Sequence, residues 1–285
     1  MNRDEAITRI TKYIKYKGNS SHTLTQYLFC LNHFFDFIDC DDISTLTPEH
    51  CMDYIIYLKE NDDYAPATLN VFIASFRFLF DVVLSRPLSK RQLPSLILPE
   101  TETIIFSHDQ IQLLLDHANY KMKAMIFLGF DCGLRVSEVA NLRCQDIDSD
   151  HMLIHIHNSK RGKSRTVKLS KNTLTALRAY WLRYAPGRNY LFPSARGDGH
   201  MNPCSINNNF RRLLDECGLY DKAYRFHCLR HTYATKLLHY GCDQFLLKKL
   251  LGHKSLSSTA RYIRIDTTDV ESSFCISDME DFSYE

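Results

Sequence analysis

The stretch HCLRHTYA, His227–Ala234, sets two histidines four residues apart with Arg230 between them. On a helix, positions four apart share one face. Three readings are open at this point: a metal site, a surface histidine pair, or part of a phosphate-handling cluster. The metalloprotease pattern HExxH is absent, since Cys228 and Leu229 follow His227, and no third ligand stands at an obvious spacing. A second group, His151, His155 and His157, puts His155 and His157 on one face of a strand. A metal ion or a pair of exposed hairpin histidines would each suit it. The balance favours no metal.

Working outward from the stretch, the phosphate reading gathers partners. Downstream, LLGHKSLSSTARYI (250–263) contributes His253 and, nine residues on, Tyr262. Upstream, CGLRVSEVANL (132–142) places Arg135 just after a glycine turn. Between them NSKRGK (158–163) carries Lys160, with Arg161, Lys163 and Arg165 as rivals on the same turn. The set is two arginines, a lysine, two histidines and a tyrosine. Tyr262 is one of 16 tyrosines, and Tyr233 lies inside HCLRHTYA itself; only the step from His253 singles out Tyr262.

Charge distribution points the same way. The chain of 285 residues has a net charge of only +2. Residues 1–100 carry 10 Lys/Arg against 13 Asp/Glu, residues 101–265 carry 25 against 13, and residues 266–285 carry none against 7. A middle block that basic suits a polyanion partner, or else a well-solvated surface. The ten cysteines form no Cys-x-x-Cys pair, which argues for reduced thiols in a cytoplasm. No apolar run is long enough to span a bilayer, and the charged start MNRDEAITRITKYIKYKG lacks a signal peptide's apolar stretch.

Periodicity predicts a mainly α chain in two domains. Residues 1–84 read as four helices, over about 4–17, 21–39, 48–60 and 66–84, the third opened by Thr47 and Pro48. Residues 85–103 hold Pro87, Pro94 and Pro99 and read as an extended linker. Residues 104–265 open on a capping box, Ser107–Gln110. They read as an α+β domain: helices at about 107–118, 120–131, 171–184, 203–217, 226–240, 243–251 and 255–263, a short one after Gly133, and a small antiparallel sheet from strands 151–157 and 164–169. The acidic tail 266–285 carries Val270, Phe274, Ile276 and Phe282, and reads either as a disordered end or as a segment docking on a neighbouring protomer.

In GLRVSEV, HCLRHTYAT and LGHKSLSSTARY, in this order and roughly this spacing, the chain resembles the tyrosine recombinases, the phage-integrase and Xer-type site-specific DNA recombinases. The proline linker and four-helix N-terminal block fit that family's two-domain plan. The chemistry also stands on residue types alone. Breaking a DNA phosphodiester with a side-chain nucleophile passes through a crowded, negatively charged phosphorus centre. Arginine donates two parallel hydrogen bonds to phosphate oxygens and stays charged, and losing one such donor typically costs about 10²–10³ in rate. A tyrosine hydroxyl, with an ordinary pKa of about 10, needs a cationic surround to attack.

The resemblance implies the roles. Tyr262 attacks and forms a 3′-phosphotyrosyl link; Arg135 and Arg230 hold the phosphate; Lys160 is the acid for the leaving oxygen; His227 and His253 assist proton transfer; Glu138 orients neighbouring groups. His231 is read as structural. The covalent link conserves the bond energy, so neither metal, ATP nor any other cofactor is expected. Double-stranded DNA is the expected partner, bound by a tetramer of this chain on two sites, alone or with a related recombinase. The N-terminal block would complete a clamp, with Lys12, Lys15 and Lys17 or the helix start at Ser20–Thr23 on DNA, and with Arg161, Lys163 and Arg165 adding contacts from the hairpin. Topoisomerase-like relaxation and a catalytically silent DNA-binding regulator are the alternatives; retention of all six chemical residues argues against the second.

Overall fold

The computed structural model describes residues 1–18, 20–39, 42–99, 104–157, 164–186, 189–195, 197, 199–221, 223–252 and 276. It divides into two compact units, Met1–Thr101 and Glu102–Glu285. Among the described residues there are eleven α-helices and one three-stranded antiparallel sheet, so the mainly α expectation with a small sheet is met.

The first unit holds α1 (Arg3–Tyr16), α2 (Ser21–Ile38), α3 (Pro48–Asn61) and α4 (Pro66–Val82). Each start has a local cause. Asn2 and Glu5 form a capping box on α1, the Ser20 hydroxyl accepts from the Thr23 amide at the start of α2, and Pro48 and Pro66 occupy first-turn positions that need no N–H. α4 packs against the other three helices. Its Leu69, Phe72, Ile73, Phe76, Leu79 and Phe80, spaced three and four apart, are all buried, and the ring of Phe34 of α2 packs tilted against that of Phe76, centroids 4.5 Å apart. The segment after α4 stays with this unit. Leu93 is buried in its core, Asn70 donates to the Leu96 carbonyl at 3.0 Å and accepts from its amide at 2.8 Å, and Arg77 donates to the Leu93 carbonyl.

The second unit is built round α6 (Tyr120–Phe130), which follows α5 (His108–His117). Every residue from Ala124 to Phe130 is buried, as expected of a helix apolar all round. It packs against α8 (Lys171–Tyr184) and α10 (Phe226–His239). The Ser107–Gln110 capping box on α5 is present, with bonds of 2.9 and 3.2 Å. After α6 come α7 (Val136–Asn141), then β1 (Ile147–Asp148), β2 (Leu153–Ile156) and β3 (Arg165–Lys168), paired in that order. β1 is a strand beyond the two expected; Ile147 pairs with Ile154 and Asp148 with Leu153. α9 (Pro203–Glu216) and α11 (Gln244–Leu251) complete the unit. The helix expected at 255–263 lies outside the described residues, as does the tail apart from Ile276, which is fully buried in this unit's core.

The turn before α7 is fixed from both sides. Asp131, the last cap residue of α6, accepts from Thr173 Oγ1 at 2.7 Å and from the hydroxyl of Ser170, the N-cap of α8. Gly133 then takes φ +64°, a conformation that favours glycine, and a Cβ there would sit 2.5 Å from the buried Tyr233 ring. Gly133→Ala is therefore expected to lower the unfolding free energy by about 3 kcal/mol, combining left-handed strain with overpacking. The check is a urea titration, and Tyr233→Ala in the same chain should restore the part due to the clash.

Candidate active site

Arg135 leaves the Gly133 turn as the N-cap of α7, and one turn later Glu138 folds back on it. The carboxylate accepts from the Arg135 amide at 2.8 Å and from its Nη1 at 2.9 Å. It also accepts a two-pronged pair from Arg165 of β3, Nη1 to Oε1 at 2.6 Å and Nη2 to Oε2 at 2.8 Å. Arg230 of α10 completes the group, its Nη1 3.8 Å from Glu138 Oε2. The structure thus brings Arg135, Glu138 and Arg230 together from elements almost a hundred residues apart. Glu138 and Arg230 are buried, at 7% and 2% side-chain exposure, whereas Arg135 keeps 32%.

Three guanidiniums face one carboxylate, a local excess of two positive charges. Burial, then the neighbouring Arg135 and Arg165 charges, pull the Arg230 guanidinium down to about 9, with Glu138 opposing. An anion among the arginines would reverse that. Burial alone would raise the Glu138 carboxyl; the Arg165 hydrogen bonds and charge, then the Arg135 amide and charge, outweigh it and hold the group at about 2. A carboxyl lowered from 4.5 to about 2 stabilises the fold above its unfolded value, and that stability drains away as pH falls through the window between the two. Wild type is expected to lose on the order of 3 kcal/mol relative to Glu138→Gln as pH falls from about 4.5 to about 2, read from urea titrations at stepped pH.

The carbonyls at the end of α11 meet the same arginines. The Gly252 amide caps the Lys248 and Lys249 carbonyls. Leu250 O accepts from Arg165 Nε at 2.7 Å, Leu251 O from Arg230 Nη2, and Gly252 O from Arg135 Nη2 at 3.4 Å. Arg230 Nη1 also donates to Gly133 O at 2.6 Å. A helix C-terminus has orphan carbonyls and a partial negative charge, so cations suit it.

His227 lies on α10 one turn before Arg230 and is exposed; its ring meets that of His231 edge-on at 4.5 Å. Burial, then the Arg230 charge, lowers the His231 pKa. Tyr233 is buried against Gly133 rather than turned to solvent. Lys160, Arg161, Lys163, His253 and Tyr262 lie outside the described residues. Lys12, Lys15 and Lys17 are exposed along α1. Arg165, expected as a DNA contact, is only 8% exposed with its fork turned onto Glu138, so it does not present that fork to solvent. The signal for this was in the strand's alternation: Arg165 shares a face with the buried Val167.

The histidines of the hairpin are spread over two carboxylates. His151 Nδ1 is 2.8 Å and His155 Nε2 4.0 Å from Asp148, while His157 Nε2 is 3.4 Å from Asp146. Among the described residues no group of three or more His, Cys, Asp or Glu side chains is placed to hold a metal, and no helix is long and apolar enough to cross a membrane.

The arginine cluster, with its excess positive charge, lies in a helical unit with a three-stranded sheet, and a four-helix unit precedes it in the chain. Residues 105–269 match the phage integrase family and residues 7–90 the phage integrase N-terminal SAM-like domain, and the chain belongs to the phage integrase family. A Sinorhizobium fredii protein named integrase/recombinase y4qK is 34% identical over 271 residues, 92% of this chain and 85% of that protein. The tyrosine recombinase XerA of Pyrococcus horikoshii is 25% identical over 267 residues, 92% and 90% of the two chains. Among solved structures, a lambda integrase tetramer bound to a Holliday junction superposes with TM-score 0.69 at 16% identity, over 93% of this chain and 80% of that one. The Tn1549 transposon integrase in complex with transposon right end DNA gives 0.68 at 18%, over 93% and 96%.

Proposed function

We propose that this chain is a site-specific DNA recombinase that cuts and rejoins strands through a 3′-phosphotyrosyl intermediate. The observation that carries the reading is the cluster of Arg135, Arg165 and Arg230 round a single buried carboxylate, two positive charges in excess of neutrality, with His227 exposed beside it. In this reading Arg135 and Arg230 grip the non-bridging oxygens, and Tyr262 attacks. Lys160 protonates the 5′ oxygen as the P–O bond to it breaks, and His227 and His253 hydrogen-bond the phosphate. The phosphotyrosyl bond then passes to a partner strand's 5′-hydroxyl, which returns the phenol. No step calls for metal or nucleotide. Relatives named tyrosine recombinase, and structural neighbours solved as a dimer on a core site and a tetramer on a Holliday junction, support double-stranded DNA as partner and four protomers on two duplexes; the cytoplasm is the compartment this reading assigns. Lys12, Lys15, Lys17, Arg161 and Lys163 supply phosphate contacts round the duplex. Ile276 of the tail is buried in the core of its own unit.

The test is a nicked duplex carrying the cognate site, incubated with the protein in EDTA without nucleotide. The expected result is a covalent protein–DNA adduct whose DNA-linked peptide contains Tyr262. A DNA link mapped to another residue would remove Tyr262 from its role, and steady relaxation of plasmids lacking the site would move the enzyme to the topoisomerase class.

A further inference from the structure

Arg165 makes three side-chain hydrogen bonds to two separate groups of the site. Its two Nη groups hold both oxygens of Glu138, and its Nε holds Leu250 O in the last turn of α11. Its own backbone, paired with Ile156, closes the base of the hairpin whose connecting residues include Lys160. Gly252, two residues after Leu250, leaves room for this side chain: a Cβ there would lie 3.3 Å from Arg165 Cδ and Nη1. So one guanidinium ties together the α7 turn that carries Arg135, the hairpin, and the point from which the chain leaves α11 toward His253 and Tyr262.

We infer that Arg165 is a positioning residue for strand cleavage: through Glu138 and the Leu250 carbonyl it sets the geometry in which Arg135 and Arg230 receive the phosphate. The inference rests on the recombinase reading. Two features separate this role from DNA contact. The fork of Arg165 is taken two-pronged by the Glu138 carboxylate, a charge-assisted pair, whereas the Nη groups of Arg230 go to neutral backbone carbonyls that a phosphate can outcompete. The consecutive carbonyls of Leu250, Leu251 and Gly252 are each taken by a different arginine, so a shift in one guanidinium is passed to the others through a rigid helix end. Lysine at 165 would keep the charge but reach only one of the three acceptors at a time.

The experiment compares Arg165→Lys with wild type on the nicked duplex. It measures the single-turnover cleavage rate and the duplex Kd separately, at a temperature where circular dichroism shows both folded. The expected result is cleavage slower by about 10- to 100-fold, the scale of a misplaced reacting geometry, with Kd within about twofold of wild type. Cleavage at the wild-type rate, or loss of binding in step with cleavage, would overturn the inference. A second readout does not depend on turnover. The Nε–H resonances of Arg135 and Arg230, observed with ¹⁵N-labelled arginine, should move in Arg165→Lys, and unmoved resonances would count against it. If wild type itself gives no adduct the recombinase reading fails, whereas a normal wild-type adduct with an unaffected Arg165→Lys sinks only the positioning role.

Discussion

Tyr262→Phe is expected to yield no covalent adduct on a nicked duplex while binding that duplex within about tenfold of wild type. Loss of one hydroxyl removes at most one hydrogen bond to DNA, on the order of 1 kcal/mol, which sets the limit on the binding change. It also removes the only atom of the side chain that can attack phosphorus, which is why the effect on cleavage is total. A phenol with an ordinary pKa of about 10 is a poor nucleophile at neutral pH. The arginine cluster, carrying two charges more than Glu138 neutralises, offers the field that such a phenol requires. The measurement is denaturing gel electrophoresis of the adduct beside a filter-binding titration. An adduct that persists in Tyr262→Phe would place the nucleophile on another of the chain's tyrosines, and a binding loss beyond a hundredfold would make Tyr262 a residue of the DNA surface.

Most helices were legible because the sequence marks both their starts and their faces. Ser107 and Gln110 announce α5 by their spacing, and Pro48 and Pro66 fix first turns. The buried stripe of α4 follows from apolar spacing of three and four. β1 was not legible: two residues, Ile147 and Asp148, are too few to show an alternation, and only pairing to Leu153 and Ile154 makes them a strand. The extended segment after α4 was legible as proline-rich, but its anchorage was not. Nothing local says that Leu93 enters the core of the four-helix unit or that Asn70 holds both polar groups of Leu96.

The site divides in the same way. Arg135 and Arg230 could be singled out by their neighbours in the chain, and Glu138 by standing one turn from Arg135. Glu138 nevertheless does more than pair with Arg135, since it also takes the fork of Arg165, 27 residues on. That was hidden because Arg165 sits among four basic residues on one turn, where charge alone invites a solvent-exposed reading. The strand's period of two, which puts Arg165 with Val167, was the more informative signal. The arginine contacts at the end of α11 had no sequence signal at all: an unsatisfied carbonyl looks like any other residue, and only the accounting of backbone partners in three dimensions reveals who satisfies it.

Arg230→Ala is expected to slow strand cleavage by about 10²–10³, the usual loss for one preorganised donor at a developing anion. The same change should move stability by an amount that two opposing terms decide. Removing the side chain leaves Gly133 O and Leu251 O without their partner, and each buried carbonyl so stranded costs about 1–3 kcal/mol. Against this, a buried cation crowded by Arg135 and Arg165 disappears, which relieves the strain that lowers its pKa to about 9. Relief cannot cancel the whole loss, because Glu138 keeps two other guanidiniums whichever residue stands at 230, while the two carbonyls have no comparable substitute in the cluster. A net destabilisation of about 2 kcal/mol follows, measurable as a shift in urea midpoint at constant slope. Arg230→Lys separates charge from shape. Lysine restores the charge but cannot bridge Gly133 O and Leu251 O while also presenting a planar pair of donors to a phosphate. Its cleavage rate should therefore lie closer to Arg230→Ala than to wild type. A lysine variant that cleaves within about threefold of wild type would mean that positive charge alone suffices at this position, and that the forked geometry of the buried guanidinium has no part in holding the phosphate.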